Sequence, residues 1–181
     1  MTKNNFYIIT GGPGGGKTSL LENLAVKGFA IVRETARQII QDRLRKGLPP
    51  RPAPHEFARE IFETDLVNYT CNADDVQIRF FDRSILDSAM MLFEDDPDYY
   101  GSVIKNLITH RYNSKVFITP PWKEIYRNDN ERDQTYEEAV IIYNKLYKWY
   151  EMNGYQLIDL PNESLETRTK FVLKNVRSQI R

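Results

Sequence analysis

Gly11-Gly12-Pro13-Gly14-Gly15-Gly16-Lys17-Thr18 stands between the apolar run Phe6-Tyr7-Ile8-Ile9 and the helix-forming Ser19-Leu20-Leu21-Glu22-Asn23-Leu24. It satisfies G-x-x-x-x-G-K-[ST] at every fixed position, the pattern of a phosphate-binding P-loop. Glycines let the backbone wrap a polyphosphate with its N–H groups turned inward, and the helix that follows adds the positive end of its dipole. On this reading Gly12, Pro13, Gly14, Gly15, Gly16 and Ser19 line the cradle, Lys17 reaches the outer phosphates and Thr18 holds Mg²⁺. A merely flexible glycine-rich turn requires neither the strand before it nor Lys-Thr and a helix after it.

Around this motif, hydrophobic patterning predicts buried strands at 6–10, 30–33, 77–82, 115–119 and 155–159, alternating with helices. Such alternation implies an α/β fold with a parallel sheet covered on both faces, in which ligands gather at the carboxyl ends of the strands. The 181 residues suit one domain, 1–181. Gly47, Pro49, Pro50, Pro52 and Pro54 break any helix across 45–54, and 55–70 reads as the next helix. Thr135 and Glu138 form a capping-box pair before a long helix ending near Gly154, whose tyrosines and Trp149 recur at core-lining spacing. A closing helix is expected over 163–181, its Lys170, Lys174, Arg177 and Arg181 forming a solvated face.

Lys plus Arg and Asp plus Glu each number 25, so no overall charge draws the chain to nucleic acid or a membrane surface. No stretch approaches the roughly 20 apolar residues of a membrane span. A short polar N-terminus leads directly into the first strand, which argues against an export signal. Cys71, the one cysteine, permits no internal disulfide and no cysteine-based zinc site, favouring a cytoplasmic setting. His55 and His110 read as surface or packing residues.

Three further stretches bear on what reaches the phosphates. In Phe80-Phe81-Asp82-Arg83-Ser84 an apolar strand ends in a carboxylate that can complete the Mg²⁺ shell opposite Thr18, the alternative being a helix cap. An Arg-Ser pair behind such an aspartate is similar to that of small-molecule and nucleoside kinases, where the arginine helps to hold the acceptor or a phosphate. Arg83 takes that role, against a structural ion pair. Glu34, in Arg33-Glu34-Thr35-Ala36-Arg37, could accept the proton of an attacking hydroxyl or simply favour a helix N-terminus; Arg37 would face the same pocket. Finally, the charged stretch 127–133 has the composition of a lid, spanning about 120–135, with Arg132 and then Arg127 closing over the nucleotide. A solvated loop is the alternative.

The P-loop, the strand-end ETAR, the FDRS strand and PPW…RNDNERDQTYEEA…LYKWYEMNGYQLIDLP together resemble the small AAA-domain predicted ATPases. These in turn look like P-loop kinases: the nicotinamide riboside kinase domain and the thymidylate and deoxynucleoside kinases. The resemblance spans nearly the whole chain. It implies a three-layer α/β/α P-loop NTPase fold with strand order 2-3-1-4-5, a lid, and an acceptor site walled by the segments after strands two and three; related kinases are often homodimers. Asn144-Lys145 is followed by Leu146-Tyr147, so the guanine-reading N-K-x-D is missing. ATP is therefore expected as the nucleotide, with GTP left open.

The expectation is a Mg²⁺-dependent kinase in which Lys17, Glu34, Asp82 and Arg132 are catalytic. Its acceptor would be a small metabolite, a nucleoside or nucleotide, held by Glu34, Arg37 and Arg83. The rivals are a nucleotide-dependent regulatory module and a simple NTP hydrolase, in which Gln38 or Glu34 would orient water.

Overall fold

β1 (Phe6–Gly11) is buried along its whole length, and its side chains divide with period two: Phe6 and Ile8 enter one apolar layer, Tyr7 and Ile9 the other. The partition recurs in β3 (Arg79–Asp82), where Phe81 and Phe80 part, and in β4 (Lys115–Thr119), where Val116 and Ile118 oppose Phe117. Strands apolar on both faces need helices on both sides, the condition that parallel sheets meet. This computed structural model describes residues 2–95, 100–124 and 135–177. With β2 (Ala30–Val32) and β5 (Gln156–Asp159), the sheet has five strands, every pair parallel, in the order β2-β3-β1-β4-β5. Layering and strand order are those expected from the sequence.

The edge strands depart from that expectation. β2 is half-buried throughout, and β5 is exposed at both ends, because each has a strand neighbour on one side only. β3 starts at Arg79 rather than at 77, since the preceding residues form a turn: Gln77 N donates to Asp75 Oδ1 at 3.1 Å and Asn5 Nδ2 caps the Asp75 and Gln77 carbonyls.

On one face lie α1 (Lys17–Val26) and α7 (Leu165–Arg177), whose Leu20, Leu24, Val172 and Val176 cover Tyr7, Ile9, Phe80 and Phe117. The other face carries α3 (Pro54–Cys71), α4 (Ile85–Asp95), α5 (Tyr100–Thr109) and α6 (Tyr136–Met152). α2 (Thr35–Arg45) packs on α3 through Ile39, Phe57 and Ile61, and the proline-rich link between them ends with Pro54 in the first turn of α3. α6 opens on the predicted capping box: Thr135 N donates to Glu138 Oε2 at 2.6 Å and Glu138 N to Thr135 Oγ1 at 3.2 Å. Its aromatic residues serve the core, Tyr150 being fully buried and Trp149 donating Nε1–H to the Leu86 carbonyl at 2.8 Å. α7 begins at Leu165, later than expected, where Ser164 Oγ accepts from Thr167 N. Among the described residues no helix is long and apolar enough to cross a membrane.

One buried carboxylate ties these layers together at the end of β1. Asp87 accepts from Thr10 Oγ1 and Tyr150 Oη at 2.5 Å each, from Ser84 N at 2.9 Å and from Ser84 Oγ at 3.3 Å, joining β1, the start of α4 and α6. Removing one donor from a buried acceptor costs about 1–3 kcal/mol. Tyr150→Phe is therefore expected to lower unfolding stability by that amount, read from urea denaturation at pH 7.

Candidate active site

The P-loop runs from the carboxyl end of β1 to the first residue of α1, and its shape depends on missing side chains. Gly16, the N-cap of α1, has φ 73°, a left-handed conformation that L side chains rarely adopt. Gly15 lies so close to β4 that a Cβ there would sit 2.5 Å from Thr119 Oγ1. Lys17 is buried and folds back on the loop, donating from Nζ to the carbonyls of Gly11 at 3.0 Å and Gly12 at 2.8 Å. Thr18 is half-buried and Ser19 exposed.

Asp82 ends β3 next to this loop, and its register partner on β1 is Ile9. The side chain is buried, yet Oδ1 has no hydrogen-bond partner. Burial raises its pKa to about 6, against the lowering effect of Lys17, with Glu34 adding to the rise. An orphaned carboxylate oxygen sharing a cleft of about 200 Å³ with the Thr18 hydroxyl is a hard-oxygen donor set suited to Mg²⁺.

Directly after Asp82 the backbone turns sharply: Arg83 has φ 69°, the one non-glycine residue with positive φ among those described. This turn sends the guanidinium across to β2's exit, where Nε pairs with Glu34 Oε1 at 3.0 Å, while Nη1 reaches Asp87 Oδ1 at 3.5 Å. Burial alone would raise the Glu34 pKa. The charge of Arg83, helped by Lys17 and Arg37, overrides it and holds the carboxyl at about 2. The same carboxylates raise the pKa of Arg83 against its burial.

Lys17, Glu34, Arg37 and Arg83 converge on the polar end of one cleft of about 640 Å³. Phe57, Ile61, Met90, Met91, Ile142 and Leu146 form its apolar wall. Arg37 and Glu34 also line the smaller cleft beside Thr18 and Asp82. Arg127, Arg132 and the rest of the expected lid over 125–134 lie outside the described residues. His55 is exposed, and His110 packs edge-on against Tyr69 with ring centroids 5.1 Å apart.

Two further residues escaped the sequence reading. Asp65 accepts from Thr35 Oγ1 at 2.6 Å and from Ser88 Oγ at 2.7 Å, bracing the start of α2 against α3 and α4. The available signal was its position: Asp65 continues the row Phe57, Ile61 at four-residue spacing, a carboxylate on an otherwise apolar stripe. Burial lifts its pKa to about 7, opposed by the two hydroxyl hydrogen bonds and reinforced by Asp87. Arg168, on α7, donates from Nη2 to the Gly15 carbonyl at 2.9 Å.

Comparison with known proteins gives a family and a fold. Residues 6–168 match the family model described as AAA domain. No curated protein matches the chain by sequence. Among solved structures, deoxyadenosine kinase from M. mycoides with dCMP and dCDP is similar at TM-score 0.70 and 13% identity, over 96% of this chain and 99% of that one. NadR protein in complex with NR is similar at TM-score 0.67 and 16% identity, the match spanning 98% of this chain and 51% of NadR. Thymidylate kinase from Candida albicans follows at TM-score 0.63 and 10% identity, over 98% and 92% of the two chains. The fold is that of the P-loop kinases.

Asp65 has a consequence for the pH dependence of stability. Its pKa is raised from 3.8 in the unfolded chain to about 7 in the fold, so between those values the native state binds the extra proton. Its contribution is complete below pH 3.8 and is lost as pH rises through about 7. Asp65→Asn is expected to flatten the decline of Tm between pH 4 and pH 7.5, measured by differential scanning calorimetry.

Proposed function

We propose, from the premise that the chain belongs to the AAA domain family, that it is a P-loop phosphotransferase which passes the γ-phosphoryl group of ATP to a small acceptor of the nucleoside or nucleotide class. The observation that carries this reading is the convergence of Lys17, Glu34 and Arg83 at the polar end of a cleft that also has an apolar wall. A site of that size and lining suits a flat, partly apolar small molecule with one reactive polar end. A plain hydrolase needs no such chamber. The similarity to deoxyadenosine kinase, NadR and thymidylate kinase supports the same assignment.

In this reading Lys17 exchanges the Gly11 and Gly12 carbonyls for the outer phosphate oxygens, and the loop N–H groups hold the inner ones. Thr18 and Asp82 would hold Mg²⁺, which when bound neutralises phosphate charge. Arg83 moves part of its hydrogen bonding from Glu34 to the acceptor oxygen. That shift relaxes the hold on Glu34, which becomes basic enough to take the hydroxyl proton as the new O–P bond forms and the bond to ADP breaks. Arg37 neutralises an acidic acceptor, and Arg132 with Arg127 would close from the lid.

Incubation with γ-labelled ATP, Mg²⁺ and pooled nucleosides and nucleotides is expected to yield a labelled acceptor. Acceptor-independent phosphate release, or nucleotide binding without turnover, would overturn the assignment in favour of a hydrolase or a regulatory module. Lys17→Ala should abolish labelling. Glu34→Gln should lower kcat by about 10²–10⁴ with ATP affinity retained, measured by steady-state kinetics and calorimetry.

A further inference from the structure

Arg168 occupies the first turns of α7 and is 4% exposed, yet among the described residues no carboxylate pairs with it. Buried charges are ordinarily matched by a counter-charge, and an arginine in this position needs a reason. Its environment already works against the cation, since burial lowers its pKa. Nη2 donates to the Gly15 carbonyl at 2.9 Å, and Nε, also buried, has no partner. The residues joined are 153 apart in sequence, one on the last helix and one inside the glycine loop.

The Gly15 carbonyl and the Gly16 N–H belong to one planar trans peptide, so fixing the first aims the second in the opposite direction, away from Arg168. That peptide lies between Gly15 and Gly16, the latter at φ 73°. Glycines accept either sign of φ, and a peptide between them can turn over at little cost, which would present a carbonyl where a phosphate needs an N–H. Thr119 closes the space beside Gly15, and Arg168 fixes the plane. A guanidinium on the carbonyl also polarises the peptide and strengthens its N–H as a donor.

We propose that Arg168 is a positioning residue for phosphate recognition: by holding the Gly15–Gly16 peptide in one orientation it preorganises the loop for the β-phosphate, acting from behind the cradle and without touching the nucleotide. The inference rests on the nucleotide reading of the loop given above. It does not require Arg168 for folding, because Val172, Val176 and the Asn23 Nδ2 hydrogen bond to Thr169 Oγ1 at 2.8 Å hold α7 on α1 and the sheet.

The test compares ADP with adenosine by calorimetry on the full chain. Arg168→Met, similar in length but without donor or charge, is expected to weaken ADP at least tenfold and leave adenosine within twofold. Arg168→Lys, which keeps both donor and charge, should retain more ADP affinity than Arg168→Met. Equal ADP affinity in wild type and Arg168→Met overturns the proposal, as does a parallel loss for adenosine, the mark of a merely structural role. Arg168→Lys no better than Arg168→Met overturns it too. Should Arg168→Met melt below the assay temperature, Arg168→Gln is read by the same two ratios. Failure of the wild-type chain to bind ADP at all would remove the nucleotide reading of the loop, and this inference with it.

Discussion

The parallel register of β1 with its two neighbours is the constraint on which the site depends. It sets Ile9 opposite Asp82 on one side and Gly11 opposite Thr119 on the other, so the glycine loop leaves the sheet between a carboxylate and a wall. Side chains alternate along a strand, so a slip of one residue would turn Asp82 toward the opposite face and bring Phe81 to its place. The alternating apolar residues of β1, β3 and β4 forbid that slip, because it would exchange the contents of both helical layers. Core packing thus places the chemistry to within a residue.

Around that fixed point the charges are arranged as a mutual restraint. Arg83 bridges Glu34 and Asp87, and Lys17 acts electrostatically on both Glu34 and Asp82. The outcome differs among the carboxylates: Glu34 is held strongly acidic, whereas Asp82 and Asp65 are pushed up by burial. Groups driven apart in this way across two clefts that share Glu34 and Arg37 are a common property of reactive sites. Ordinary core residues would be simpler to bury.

What was legible in the sequence was local. The loop and the FDRS strand carry their signal in consecutive residues, so Lys17, Thr18 and Asp82 could be singled out with no knowledge of the packing. Sheet order followed from the family resemblance, and the capping box at Thr135 from spacing alone. The partial exposure of β2 and β5 was less legible, because which strands end a sheet is decided by their neighbours rather than by their own residues. Asp65 stayed hidden because a single carboxylate on α3 becomes informative only when α2 and α4 bring Thr35 and Ser88 to it. Arg168 was hidden more deeply still, its partner being a backbone carbonyl across the whole chain.

The left-handed backbone at Arg83 sets local strain against charge pairing at one position. Glycine would relieve about 1–2 kcal/mol of local strain there. Yet such a variant would lose the guanidinium that joins the exits of two strands. Glu34 and Asp87 would then keep their charge without that cation beside them, at a cost above the strain relieved, so the strained turn and the ion pairs hold each other in place.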